Sequence, residues 1–163
     1  MLQPPLILTL RLLEKDQQFF NQLRKTYFPP ERNYLNAHLS LFHQLEDNEQ
    51  TIKTLKHLQQ KPFMLTVSGL MFLGFGVAYR VESAELNMLR GEITKILKDS
   101  LIPQDLQPYR PHITIQNKVS PQTAKKLKAT LESTFQPFII KAIGLDLWTY
   151  LGGPWEHHSY YPF

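Results

Sequence analysis

The chain contains no cysteine. That one absence excludes a disulfide framework, cysteine-ligated zinc and a thiol nucleophile. It suits a reducing compartment, and a cytoplasmic location is the expectation. Charge of one sign is also scarce. Among 163 residues, 18 Lys and Arg stand against 14 Asp and Glu, a formal net charge of +4. The densest basic run, Lys125-Lys126-x-Lys128, falls where a helix is expected and reads as a solvated helix face, not a nucleic-acid tail. A pI of about 9.3 is compatible with a phosphorylated or nucleic-acid partner. No secretory signal is expected, because apolar Leu6 to Leu10 has no basic segment before it and no small-residue cleavage site after it. The stretch Pro62 to Tyr79 carries no charge, and about 18 to 20 apolar residues can cross a bilayer. Thr66, Ser68, Gly69, Gly74 and Gly76 interrupt it, so two buried strands joined by a turn are expected there, without membrane contact.

What is present supports a core: 42% of residues are hydrophobic, in a length that fits one domain. Pro5 to Leu12 alternates imperfectly and reads as a central strand covered on both faces. Glu14 to Phe28 reads as a helix with Phe19, Phe20, Leu23 and Tyr27 on one side, ended by Pro29-Pro30. Asp47 and Gln50 form a capping box for a helix reaching about Gln60, with Ile52, Leu55 and Leu58 inward. Strands follow at 63–72 and 76–82. Ser83 caps a third helix with the stripe Leu86, Leu89, Ile93, Ile96 and Leu97. Ser120-Pro121 starts a fourth, with Ala124, Leu127, Leu131 and Phe135 inward. Phe138 to Leu151 supplies one or two strands, Gly152-Gly153-Pro154 a turn, and the aromatic tail from Trp155 to Phe163 a last strand.

The order strand, helix, histidine strand, helix, strand occurs at 5–72 and again at 76–147. The expectation is an α+β fold in which two pseudo-symmetric lobes, each an antiparallel-rich sheet with flanking helices, enclose a central cleft. Residues 1–163 would form one such bilobal domain.

The repeat carries a motif in each half: Ala37-His38-Leu39-Ser40-Leu41-Phe42, and Arg110-Pro111-His112-Ile113-Thr114-Ile115-Gln116. Side chains alternate across a strand. His38, Ser40 and Phe42 would therefore share one face, as would Arg110, His112, Thr114 and Gln116. A single His-x-Ser in a strand is usually packing or surface. Two copies whose histidines are 74 residues apart, in equivalent places of a repeat, point to two halves of one site. Two imidazoles can supply a base and an acid near neutrality, worth about 10²–10⁴ in rate. In-line displacement at phosphorus needs both, and its non-bridging oxygens need donors, which Ser40 and Thr114 can provide. Neither a metal nor a covalent nucleophile is required. Phe42 could stack a base, and Arg110 and Gln116 could contact phosphate. His43 would fall on the face opposite His38, outside the site, which also argues against a His38–His43 metal pair. His57 fits a helix surface, and His157 and His158 would face opposite ways. Tyr79 and Trp155 read as core or cleft-wall packing.

These motifs resemble the two-histidine phosphoesterase superfamily, the LigT-like or 2′–5′ RNA ligase-like proteins, in a bacterial branch. So do Phe28-Pro29-Pro30-Glu31-Arg32-Asn33, the run Leu41-Phe42-His43, Gly74-Phe75-Gly76-Val77-Ala78-Tyr79-Arg80, Asn117-Lys118 and Leu147-Trp148-Thr149-Tyr150-Leu151-Gly152-Gly153-Pro154-Trp155. The resemblance covers nearly the whole chain. It implies His38 and His112 as the acid–base pair and Ser40 and Thr114 as phosphate contacts, with Ser40 standing where threonine is common. It implies a cofactor-free, metal-independent phosphodiesterase acting on 2′,3′-cyclic phosphates or related RNA or nucleotide phosphodiesters. The partner would be an RNA end or cyclic nucleotide, and the protein a monomer. Ligation in the 2′–5′ sense, or nucleotide binding without turnover, are the alternatives. The near symmetry leaves open which histidine is acid and which is base.

Overall fold

The structure is a computed structural model that describes residues 2–163. The elements are β1 (Leu6–Leu12), α1 (Glu14–Tyr27), β2 (Ser40–Leu45), α2 (Glu49–Lys56), β3 (Phe63–Phe72), β4 (Val77–Glu82), α3 (Ala84–Leu97), β5 (His112–Gln116), α4 (Pro121–Glu132), β6 (Phe138–Tyr150) and β7 (Trp155–Pro162). Helix starts follow local chemistry. Ser83 accepts from the Leu86 amide and Ser120 from the Thr123 amide, each filling one unpaired donor of a first turn. At α2 the cap is Asn48, accepting from Thr51, and not Asp47. That helix also stops at Lys56, short of the expected Gln60. His57 is its C-cap, and its ring Nδ1 lies 2.7 Å from the Lys53 carbonyl. Of the expected inward stripes, Phe19 and Ile96 are the exceptions, at 46% and 47% exposed.

Every strand pairing is antiparallel. The strand order is β2-β1-β6-β3-β4-β5, with β7 added beside β6. Exchanging β1, β2 and β3 for β4, β5 and β6 leaves this order unchanged when it is read from the other end. The two halves are thus related by a pseudo-two-fold through the β3–β6 pair, and the α+β, two-lobed, antiparallel expectation holds. The half-sheets are joined into one sheet, because β3 and β6 each cross to the other half. Ala142 pairs with both Leu12 and Phe63, so β6 has β1 on one edge and β3 on the other. Beyond Ala142 that second edge belongs to β7, from Gly144 opposite Pro162 to Tyr150 opposite Trp155. A Cβ at Gly144 would lie 2.5 Å from the Tyr160 ring and 2.8 Å from the Tyr161 carbonyl, so β7 docks against bare backbone there.

The charge-free segment forms the β3–β4 hairpin, closed by the Leu73 amide on the Gly76 carbonyl with Gly74 at φ +87°. No helix among the described residues is long and apolar enough to cross a membrane. β1 is central as expected, with Leu6, Leu8, Leu10 and Leu12 all in the core.

The helices cross between halves. On α1, Arg24 donates through Nη1 to the Thr114 carbonyl of β5 (3.3 Å). On α3, Arg90 donates through Nε to the Leu41 carbonyl of β2 (2.9 Å). Both arginines are nearly buried, at 5% and 8% exposed. Each half therefore supplies the buried cation that holds the other half's histidine strand in place.

Candidate active site

Each histidine sits at the entrance of its strand. His38 lies two residues before β2, and His112 is the first residue of β5. The local anchor is the same in both. His38 Nδ1 is 2.9 Å from the Asn36 carbonyl, and His112 Nδ1 is 2.7 Å from the Arg110 carbonyl. A carbonyl only accepts, so each Nδ1 carries the hydrogen and, in the neutral ring, each Nε2 keeps its lone pair. Both imidazoles line one cleft of about 310 Å³ together with Ser40 and Thr114. The structure thus brings the four principal sequence candidates into one cavity.

The three secondary candidates divide, and a pair of β-bulges explains why. On β2, Ser40 pairs with Thr9 but Phe42 pairs with Leu8, which leaves Leu41 as an extra residue. On β5, Thr114 pairs with Ala78 but Gln116 pairs with Val77, which leaves Ile115 extra. A bulge breaks the two-residue alternation, so positions beyond it change face. Phe42 is accordingly not a cleft residue: it is fully buried, with the Arg90 guanidinium 4.7 Å from its ring centre. Gln116 is likewise carried inward. It is 4% exposed, absent from the cleft wall, and its Oε1 has no hydrogen-bond partner. Arg110 is exposed and does line the cleft.

The same bulge brings in a residue that strict alternation excludes. His43 lines the cleft, with its side chain 47% exposed. Its Nδ1–H donates to Asp105 at 3.0 Å, which aims Nε2 away from the carboxylate. Asp105 is 1% exposed and also accepts the backbone amides of His43 and Gln44. Its own carbonyl takes Arg90 Nη2 at 2.7 Å, and Arg90 also lies over the Tyr109 ring. Tyr109 closes the circuit by donating its hydroxyl to the Ser40 carbonyl at 2.9 Å. Asp105, Arg90, Tyr109 and Arg24 support the site from loop and helix positions, and no short-range pattern in the sequence marks them. Trp155, expected as wall packing, stands in the cleft wall with its ring 4.6 Å from that of His38.

The electrostatics favour an uncharged His38. Burial lowers its pKa to about 4, against a raising contribution from the Asn36 carbonyl; the charges of Arg24, His112 and His43 act in the lowering direction. Burial alone would raise Asp105. The hydrogen bonds it accepts from the His43 side chain, the His43 amide and the Gln44 amide outweigh that, and its pKa is lowered. Burial takes Arg24 down to about 10, which leaves it charged near neutrality. The cleft therefore combines one buried cation, Arg90, one exposed cation, Arg110, a neutral imidazole and two hydroxyls. Such a set can bind an anion and move a proton.

His57 and the tail histidines lie elsewhere. His157 Nε2 pairs with Asp146 at 2.8 Å, and His158 contacts Ser159. Tyr79 is 5% exposed in the core, as expected.

Comparison with known proteins agrees with this architecture. A phosphoesterase of solved structure superposes with a TM-score of 0.66 at 19% identity, over 99% of this chain and 98% of its own. Escherichia coli LigT in complex with 3′-AMP superposes with a TM-score of 0.63 at 18% identity, over 99% and 98%. TT0787 of Thermus thermophilus gives 0.69 at 15% identity, over 97% of each chain. At these identities the likeness is one of fold. No curated protein sequence matches the chain. The profile of the 2′-5′ RNA ligase superfamily, however, matches residues 13–154, most of the chain and both histidine strands. With the fold, the paired cleft and that match in agreement, the chain belongs to the 2′-5′ RNA ligase superfamily.

Proposed function

We propose that the protein is a LigT-like phosphodiesterase of the bacterial branch that opens 2′,3′-cyclic phosphates, or related nucleotide phosphodiesters, without a metal ion. Residues 1–163 act in it as one bilobal, monomeric domain. The observation that carries this reading is the duplicated anchor. Two imidazoles, each held through Nδ1 by the carbonyl two residues earlier, present Nε2 to one cleft that also holds Ser40 and Thr114. A nucleotide substrate is supported by the fold's likeness to LigT, which has been crystallised with 3′-AMP.

In the proposed reaction, neutral His38 accepts a proton from the attacking water at Nε2. The new P–O bond forms opposite the ribose oxygen whose bond breaks, and His112 gives that oxygen its proton. The lowered pKa of His38 supports its assignment as the base. Ser40 and Thr114 donate to the non-bridging oxygens, and Arg110 faces the phosphate from the rim. Metal-free chemistry is supported by the complementary donor and acceptor roles of these groups. The test is phosphorus NMR of a 2′,3′-cyclic mononucleotide incubated with protein and chelator. The cyclic phosphate signal is expected to convert to a monoester signal. An unchanged cyclic signal at high protein concentration would overturn the hydrolytic reading and favour nucleotide binding without turnover.

A further inference from the structure

A second groove opens on the far side of His38 and Trp155 from the catalytic cleft. Its volume is about 650 Å³, and it shares those two residues with the cleft. A groove lies in the symmetry-related place of the other half, along β4, the start of α3 and the segment before β5, with about 460 Å³. The repeat thus places a hollow on each side of the cleft, but the two are lined differently. The β4 groove carries Arg80 and Arg110 and no tryptophan. The β1 groove carries Tyr34, Trp148 and Trp155, which include both tryptophans of the chain. Trp155 is contributed by β7, the strand outside the symmetric order. The aromatic wall is therefore an addition to one half, and the repeat does not generate it.

The two tryptophans of this groove are held in place. Trp148 Nε1 donates to Thr9 Oγ1 at 2.9 Å, and Trp155 lies 6.1 Å from Trp148 by ring centres. Tyr34, at 72% exposed, offers its ring to the groove with nothing packed over it. The floor is electrically satisfied. Arg11 makes two bonds to Asp146, at 2.9 and 2.7 Å, while His157 takes the same carboxylate and Tyr160 covers the guanidinium. Glu14 stands at the edge. A phosphate would meet no free cation here and the Glu14 carboxylate, whose hydrogen bond from Gln18 leaves its charge unneutralised, whereas the cleft beside it offers Arg110 and three imidazoles. A neutral flat heterocycle fits the groove: aromatic faces to stack on, and the exposed Asn36 amide, which makes no side-chain hydrogen bond in the structure, to read its edge.

We propose that the β1 groove is a nucleoside subsite that stacks the base adjoining the reacting phosphate. The preferred substrate is then an oligonucleotide end, not a free cyclic mononucleotide. The statement about substrate rests on the phosphodiesterase reading above; the statement about the groove does not. Two measurements separate them. In the first, adenosine is titrated into the protein and tryptophan emission is followed, with and without saturating inorganic phosphate. Both tryptophans line the groove, so quenching is expected, and it should persist in phosphate and weaken about fivefold or more in apparent affinity in Tyr34→Ala. Tyr34 is so exposed that this variant should fold normally. Absence of quenching, or quenching abolished by phosphate, overturns the subsite.

In the second, kcat/KM is compared for a cyclic mononucleotide and for a dinucleotide ending in a 2′,3′-cyclic phosphate. The dinucleotide is expected to be favoured about tenfold or more, and Tyr34→Ala should bring the ratio towards unity. A ratio near unity in the wild type overturns the preference for an oligonucleotide end. Failure to turn over either compound counts against the phosphodiesterase reading, while the fluorescence result still decides the groove.

Discussion

The two histidine strands are built alike and surrounded differently. Both hold their imidazole by the carbonyl two residues upstream, both place a hydroxyl two residues downstream, and both bulge at the residue after that hydroxyl. Past the bulge they diverge. The β2 copy brings in His43 backed by buried Asp105, and Trp155 packs against His38. The β5 copy continues into Gln116, with an unpaired buried oxygen, and then Asn117, which bonds only the adjacent Lys118 amide. A pseudo-symmetric backbone thus supplies two equivalent histidine positions, while side chains from outside the repeat surround them differently: Trp155 stands against His38, whose pKa burial lowers. In the proposed reaction the two positions play unequal parts, which perfect symmetry would not provide.

The largest expected effect breaks both halves alike. His38→Ala and His112→Ala should each lower kcat by about 10²–10⁴, with the double variant scarcely worse than the singles because the pair acts as a unit. Steady-state kinetics on a cyclic substrate checks this. Near-wild-type turnover in either single variant would end the paired mechanism.

Next in size is the contrast between the residues that follow the two bulges, Phe42 and Gln116. Phe42→Ala should destabilise folding by about 3–5 kcal/mol, as deletion of a buried ring does. Gln116→Ala should be far milder, since it removes an amide oxygen that makes no bond. Urea melts decide it, and equal losses would mean that the Gln116 side chain contributes as much to stability as the buried Phe42 ring.

Asp105→Asn tests the feature that β5 lacks. An amide would oppose an N–H donor to the amides it must serve, at about 1–3 kcal/mol of stability. It would also release the His43 ring, so KM should rise in a way that His43→Gln reproduces without the stability loss. If His43→Gln left KM unchanged, His43 would be a strut only.

The smallest effect concerns pH. His38 has a folded-state pKa of about 4 against 6.5 for the free side chain. Above 6.5 it is neutral folded or unfolded. Between 6.5 and 4 the unfolded chain takes up a proton that the folded chain refuses, so stability falls as pH drops through that window and levels off below it. Asp105, lowered in the fold, adds a loss in the same direction at lower pH, through the carboxylate range. Urea midpoints measured across the window should show a slope that His38→Gln reduces. An unchanged slope would mean that the ring is better solvated than its burial implies.

Much of this was readable from residue order because it depends on local physics. Capping serines at Ser83 and Ser120, the break at Pro29-Pro30, the glycines of the β3–β4 turn and the doubled His-x-hydroxyl each act within a few residues of themselves. The α+β class and the four principal candidates follow from such signals. Phe42, Gln116 and His43 could not be placed this way. Their facing depends on whether a strand slips by one residue against its neighbour, and that is settled by the partner strand's register. Arg24 and Arg90 escaped for a related reason. Each is an ordinary helix arginine until the helix packs across to the other half. By itself, then, the sequence determined where the backbone turns, caps and alternates, and that two histidines recur in equivalent places. Only the tertiary structure decided which side chains face the cleft beyond each bulge, which buried charges support it, and that burial lowers the pKa of His38. Those outcomes arise from burial and electrostatics among residues far apart in the chain.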